Sequence, residues 1–216
     1  MAYINKLESG KLLKLKNLLP CYEGQILSTK LCSNNILSLE LYSLAKGESI
    51  STHNLMDQTL YIVLTGILSV SAKEVPEKCY YFIEKDTPSE LMAKENTLVL
   101  IYTLSGDLVL KNLSFGKVES LLNQIDLVHM SVSSKIIIQK KEVSLTLFSF
   151  DTEEGLSTHK AGGDAMVIPL AGEVAVLIDE TPYTVKEGDF IILPAGIPHS
   201  LIATKPYKML LTVIKE

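Results

Sequence analysis

"GDFIILPAGIPH", residues 188–199, decides how this chain is read. Gly188-Asp189 reads as a tight turn, because glycine takes a positive φ without strain and aspartate favours turns. The residues DFIIL that follow form a short apolar run of the kind that makes a buried strand. Pro194-Ala195-Gly196 is a second, rigid turn, and it redirects the segment that carries His199. The stretch is therefore turn, strand, turn, with a histidine placed at a fixed distance beyond.

Working outward, the same pattern occurs twice. "EGDFIILPAGIPHSLIA" (187–203) aligns without a gap to "EKCYYFIEKDTPSELMA" (77–93). Upstream, "EEGLSTHKAGGDAMVIPLAG" (153–172) matches "GESISTHNLMDQTLYIVLTG" (47–66). Both copies carry Ser-Thr-His, and in both a glycine stands thirteen residues after the histidine, His53 to Gly66 and His159 to Gly172. Two copies of this kind imply two similar domains. The expected domains are residues 1–110 and 111–216, with the boundary in Ser105–Val118, where two glycines and weak periodicity mark a connection.

Within each copy the apolar runs are short and rich in β-branched residues. Residues 143–150, 166–170, 174–178, 183–185, 189–193 and 208–214 read as strands, separated by glycine, proline or charged turns. "DETP" (179–182) sits between two of them as a hairpin turn. Pro169 marks an edge position or a bulge, because proline cannot donate to a ladder. "LKNLLP" (15–20) and "VESLLNQIDLV" (118–128) are expected as short helices or lead-in arms. The fold class is all-β, a sandwich or barrel in each half.

Composition narrows the function classes. Net charge is −5 and lysines are scattered, whereas nucleic-acid binders carry a basic stripe. Mean hydropathy is +0.24, yet no uninterrupted apolar run reaches the roughly 18 residues of a membrane span. No apolar leader opens the chain, so the expected location is cytoplasmic. Cys21, Cys32 and Cys79 form no C-x-x-C pair and read as buried or idle thiols.

Gly188, Asp189, Pro194, Gly196 and His199 fall in register with the G-D-x-x-x-x-P-x-G-x-x-H pattern of the cupin superfamily. "STHKAGGDAMVIPLAGE" resembles that family's first motif. The chain thus resembles a bicupin, two jelly-roll barrels in tandem, and the resemblance is stronger in the C-terminal half. Metal-binding cupins use three histidines and one glutamate. The resemblance places His159 and His199 at two of those positions, with Ala161 and Ala165 at the other two. In the first copy only His53 remains, with Leu55, Thr59 and Ser89 at the other positions. A tight metal site needs three or four suitable protein ligands.

Three readings follow from the resemblance. One is a small-molecule-binding bicupin of undetermined activity, with His159 and His199 as ligand-binding residues in the C-terminal barrel and His53 as a weaker candidate. The second is a metal-dependent enzyme (dioxygenase, isomerase or decarboxylase) with a divalent transition metal on His159 and His199. The third is an assembly role, the N-terminal barrel acting mostly as scaffold, with a homodimer covering an apolar face. Direct acid–base chemistry by the histidine pair would want a nearby carboxylate or tyrosine, for which Tyr183 and Tyr207 are the nearest in sequence. Asp164 neighbours the lost glutamate position but alternates to the opposite face. His129 reads as an ordinary residue of the connecting segment, and Ala161-Gly162-Gly163 as a flexible turn at the barrel mouth.

Overall fold

The computed structural model describes residues 3–106 and 112–215. The centre of the expected domain boundary, residues 107–111, lies outside the described residues. In chain order the strands are β1 (Leu12–Lys14), β2 (Ile26–Ser33), β3 (Leu37–Leu44), β4 (Ser49–Asn54), β5 (Gln58–Thr65), β6 (Ile67–Val70) and β7 (Lys73–Pro76). They continue as β8 (Cys79–Ile83), β9 (Pro88–Ala93), β10 (Thr97–Leu104), β11 (Val118–Ser120), β12 (Val132–Gln139) and β13 (Val143–Phe150). The last seven are β14 (Gly155–Lys160), β15 (Asp164–Ala171), β16 (Glu173–Ile178), β17 (Thr181–Lys186), β18 (Asp189–Leu193), β19 (Pro198–Ala203) and β20 (Tyr207–Ile214).

These strands divide between two units of the same topology. The first unit has a six-stranded sheet, β11-β8-β5-β10-β3-β2, and a four-stranded sheet, β4-β9-β6-β7. The second has β1-β18-β15-β20-β13-β12 and β14-β19-β16-β17. In each, apolar residues from both sheets meet in a core, Leu68, Val75, Tyr61 and Val99 in the first and Val174, Val185, Val167 and Met209 in the second. Strand β16 shows the half-buried alternation that positions such a core, with Val174, Val176 and Ile178 buried and Ala175 and Leu177 exposed. It turns at Asp179, whose φ is 53°, and returns as β17, so the DETP hairpin forms where the sequence places it. Pro169 lies beside a register shift in the β15–β20 pairing, where the ladder with β18 has already ended.

The short helical or arm segments expected at the start of each copy are corrected by the structure. No α-helix is present among the described residues. Leu15–Asn17 and Leu121–Gln124 are single 3-10 turns, and the residues before them, β1 and β11, are sheet strands. The stretch LKNLLP ends at Pro20 and is far below the ~12 residues at which an isolated helix becomes tenable. An open strand edge offers the same backbone immediate partners. Strand β1, which the sequence groups with the first copy, pairs with β18 in the second unit, while β11 pairs with β8 in the first. Three side chains fasten the residues around β1: Asp189 in an ion pair with Lys14, Tyr183, whose Oη donates to the Gly10 carbonyl at 2.6 Å, and Asp164, which accepts from the Tyr3 and Ile4 backbone N–H groups at 2.6 and 3.0 Å.

The first copy has lost two glycines of the motif without losing the turns they served. Lys78 and Asp86 stand where the second copy has Gly188 and Gly196, and they keep the left-handed backbone with φ of 59° and 60°. The Asp86 N–H donates to the Leu55 carbonyl at 2.7 Å, just as the Gly196 N–H donates to Ala161 at 2.9 Å. A side chain in that region costs about 1–2 kcal/mol. Part of this is offset because glycine is freer in the unfolded chain. Lys78→Gly is therefore expected to raise unfolding free energy by about 0.5–1 kcal/mol, read from a urea midpoint shift at unchanged slope.

Candidate functional site

The register of β14 and β19 sets His159 directly opposite His199. The rings meet edge to face, with centroids 4.5 Å apart and planes at 67°. Each is pinned by its own strand: Nδ1 of His159 donates to the Ser157 carbonyl at 2.8 Å, and Nδ1 of His199 to the Ile197 carbonyl at 3.0 Å. A carbonyl only accepts, so Nδ1 carries the proton and Nε2 of a neutral ring keeps the lone pair. His159 is exposed, and His199 is 2% exposed. One imidazole thus stands at the mouth and the other inside.

Both rings line a cavity of about 60 Å³. The rest of its wall is apolar, including Leu156, Val167, Leu193, Leu201 and Met209. Ala161 and Ala165 are also part of the wall, so the two positions that lack a ligand side chain do face the cavity.

Burial, reinforced by repulsion from His159, holds the His199 imidazole below its ordinary value, and the Ile197 carbonyl opposes this only in part. The unfolded chain takes up this proton near about pH 6.5. The fold resists it, so stability is full above that pH and falls as pH drops through and below it. His199→Gln, which removes the titration, is expected to flatten the decline in Tm between about pH 7 and pH 5, measured by calorimetry at each pH.

Other groups singled out in the sequence are engaged elsewhere. Asp164 is buried away from the cavity, and besides Tyr3 and Ile4 it accepts from the Ala195 N–H at 2.9 Å. Tyr183 is tied to Gly10, and Tyr207 is fully buried in the core. Neither tyrosine lines the cavity, and no carboxylate does. His129 pairs with Asp151 at 3.0 Å on an exposed turn. All three cysteines are free: Cys21 is exposed, Cys79 half-buried and Cys32 buried.

The donor set does not fit a tightly held metal. Among the described residues no group of three or more His, Cys, Asp or Glu side chains is placed to hold one. Two imidazoles with alanines at the remaining positions fall short of the three or four ligands that tight sites use.

In the first unit His53 pairs across strands with Ser89, the counterpart of His199. His53 Nδ1 donates to the Ser51 carbonyl at 3.2 Å, as His159 does to Ser157. The cavity it borders is larger, about 400 Å³, and far more polar, with Glu40, Tyr42, Asp57, Thr59 and Tyr61 in its wall. Of these, the sequence singled out only Thr59, as a position lacking a metal ligand. The signal was present in the repeat, because Glu40, Tyr42, Thr59 and Tyr61 occupy the positions of Thr146, Phe148, Ala165 and Val167 on matching strands.

Comparison with known proteins agrees with this geometry. Residues 147–214 match the cupin domain family. A cupin 2 conserved barrel domain protein from Leptotrichia buccalis is 27% identical, covers 99% of this chain and 100% of its own, and superposes with a TM-score of 0.84. The chain belongs to the cupin superfamily. A conserved protein of unknown function from Streptococcus pyogenes is 34% identical over 52% of this cupin and 98% of its own length, with a TM-score of 0.50. Salicylate 1,2-dioxygenase from Pseudaminobacter salicylatoxidans shares the fold at 11% identity, covering 83% of this cupin and 71% of its own chain, with a TM-score of 0.58. No curated protein matches the cupin. Among the described residues, no helix is long and apolar enough to cross a membrane.

Proposed function

We propose that this cupin is a small-molecule-binding bicupin whose C-terminal barrel holds a compact apolar ligand against His159 and His199. The observation that carries this reading is the opposed imidazole pair, pinned at both Nδ1 atoms, in a wall otherwise made of apolar side chains. Such a wall with a few convergent polar groups is the usual make-up of a ligand site. The two Nε2 lone pairs call for a ligand that donates hydrogen bonds. A volume of about 60 Å³ takes roughly four water-sized groups, so the ligand is a fragment-sized molecule or the tip of a longer one entering past His159. With no carboxylate or tyrosine in the wall to complete a proton relay, binding is favoured over acid–base chemistry.

The test is side-chain ¹⁵N NMR of histidine-labelled protein titrated with isobutyramide and isobutanol. Saturable shifts at His199 Nε2 are expected, lost in His199→Gln and kept in His53→Ala. Absence of any shift with either probe overturns the reading, as does saturable binding that His199→Gln leaves unchanged.

A further inference from the structure

Of the two barrel cavities described, the larger is in the N-terminal unit, in the copy whose motif has decayed most. Its volume, about 400 Å³, lies within the range of roughly 300–1,000 Å³ typical of small-molecule sites. What distinguishes it from its counterpart is its hydrogen-bonding character. Glu40, Ile101 and Tyr61 form one cross-strand row over β3, β10 and β5. Thr103 and Thr59 form the next. The half-buried Glu40 carboxylate accepts from Tyr42 Oη at 3.0 Å and Ser38 Oγ at 3.1 Å, and pairs with Lys30 at 3.4 Å.

The hydroxyls of Tyr42, Thr59 and Tyr61 are already engaged within the protein. Tyr42 donates to Glu40, Thr59 Oγ1 to the Asp57 carbonyl at 3.2 Å, and Tyr61 Oη pairs with Ser89 Oγ at 3.2 Å. Asp57 Oδ2 takes the Ser105 hydroxyl at 2.8 Å. What is left over is mostly acceptor capacity, carboxylate lone pairs on Glu40 and Asp57 and Nε2 of His53, beside the Asn54 amide and Thr103 hydroxyl, which both donate and accept. No lysine or arginine lines the cavity. Two carboxylates in the wall, of which Glu40 alone has a cation beside it, Lys30 outside the lining, disfavour an anionic ligand. Tyr42 and Tyr61 place aromatic rings in the same wall, a group that attracts cations, and Ile50, Leu55 and Leu91 supply apolar surface.

From this arrangement we infer that the N-terminal barrel is a second, independent binding site, for a small organic amine: a primary ammonium group on an apolar body. The inference goes beyond the C-terminal reading and does not depend on it. The ammonium donates to Glu40 and Asp57, and the body rests on the apolar surface of the same wall.

The test uses three probes of one body with different heads: tyramine, its alcohol tyrosol, and 4-hydroxyphenylacetate. Binding to the full chain is measured by isothermal calorimetry near neutral pH. Tyramine is expected to bind, tyrosol roughly tenfold more weakly, and the carboxylate weaker still. Glu40→Gln and Asp57→Asn are each expected to weaken tyramine about tenfold while leaving tyrosol unchanged. A melting curve of each variant confirms that the fold is kept, and either variant alone suffices if the other unfolds. His199→Gln leaves tyramine binding intact, which separates this site from the C-terminal one. Equal affinity for all three heads, preference for the carboxylate, or failure of tyramine to bind would overturn the inference.

Discussion

Gly172→Ala is expected to destabilise the chain by about 3–5 kcal/mol, because it combines a left-handed backbone with the shortest approach to an added Cβ at any glycine. Gly172 has a φ of +79°, where a side chain already costs about 1–2 kcal/mol. An added Cβ would also lie 1.9 Å from the Pro206 carbonyl oxygen and 2.8 Å from its carbon. Those are backbone atoms of the residue just before β20, so the clash cannot be relieved by a rotamer change. Relief requires β15–β16 and β20 to separate, which opens the core beneath Tyr207. Gly188→Ala is the control. Its φ is +84°, but nothing lies within 4 Å of the added atom, so only the backbone term of about 1–2 kcal/mol applies. Urea unfolding of both variants reads the difference. Equal losses would mean that the close approach at Pro206 carries no weight.

Asp164→Ala is expected to remove about 3 kcal/mol. The carboxylate is 2% exposed and accepts three backbone N–H groups, those of Tyr3, Ile4 and Ala195. Hydrogen bonds to a charged acceptor contribute about 1.5–3 kcal/mol each, and the total is reduced because residues 3 and 4 can turn to water once released. Ala195 lies in the turn before His199, so the loss has a local consequence at the site. Hydrogen exchange of the Ile4 and Ala195 amides should accelerate together in the variant. Asp164→Asn, which keeps one acceptor oxygen, should recover part of the loss. Exchange that accelerates at Ile4 alone would show that Asp164 holds the N-terminal segment but not the turn.

The all-β class and the repeat were legible because they rest on local signals. GDFIILPAGIPH carries its turns in glycine and proline, and DETP closes a hairpin between alternating strands. Strands β14 and β19 were harder to see. Most of β14 is exposed Ser, Thr, His and Lys, which leaves no apolar alternation. Of the segments expected as helices or arms, VESLLNQIDLV begins as β11 because a sheet edge lies beside it, and LKNLLP, six residues long, closes only a single 3-10 turn. The first turn of the first copy was hidden because Lys78 holds a backbone that its residue type does not advertise, and the second because Glu84-Lys85-Asp86 lacks the proline and glycine of its counterpart. The histidine pair followed from the family resemblance, which places His159 and His199 at two ligand positions. The volume and polarity of the N-terminal cavity did not, because they depend on which faces of β3, β5 and β10 turn inward together.

The central claim is that the His159–His199 pair receives a small organic molecule rather than a metal ion. The most direct measurement is native mass spectrometry of untagged protein expressed in metal-supplemented medium, before and after incubation with isobutyramide. The account predicts a mass excess that matches an organic molecule, carried from the cell or gained from the probe, and lost in His199→Gln. A mass excess of one transition-metal ion per chain, lost in the same variant, would contradict it, and so would a chain that gains no organic adduct at all.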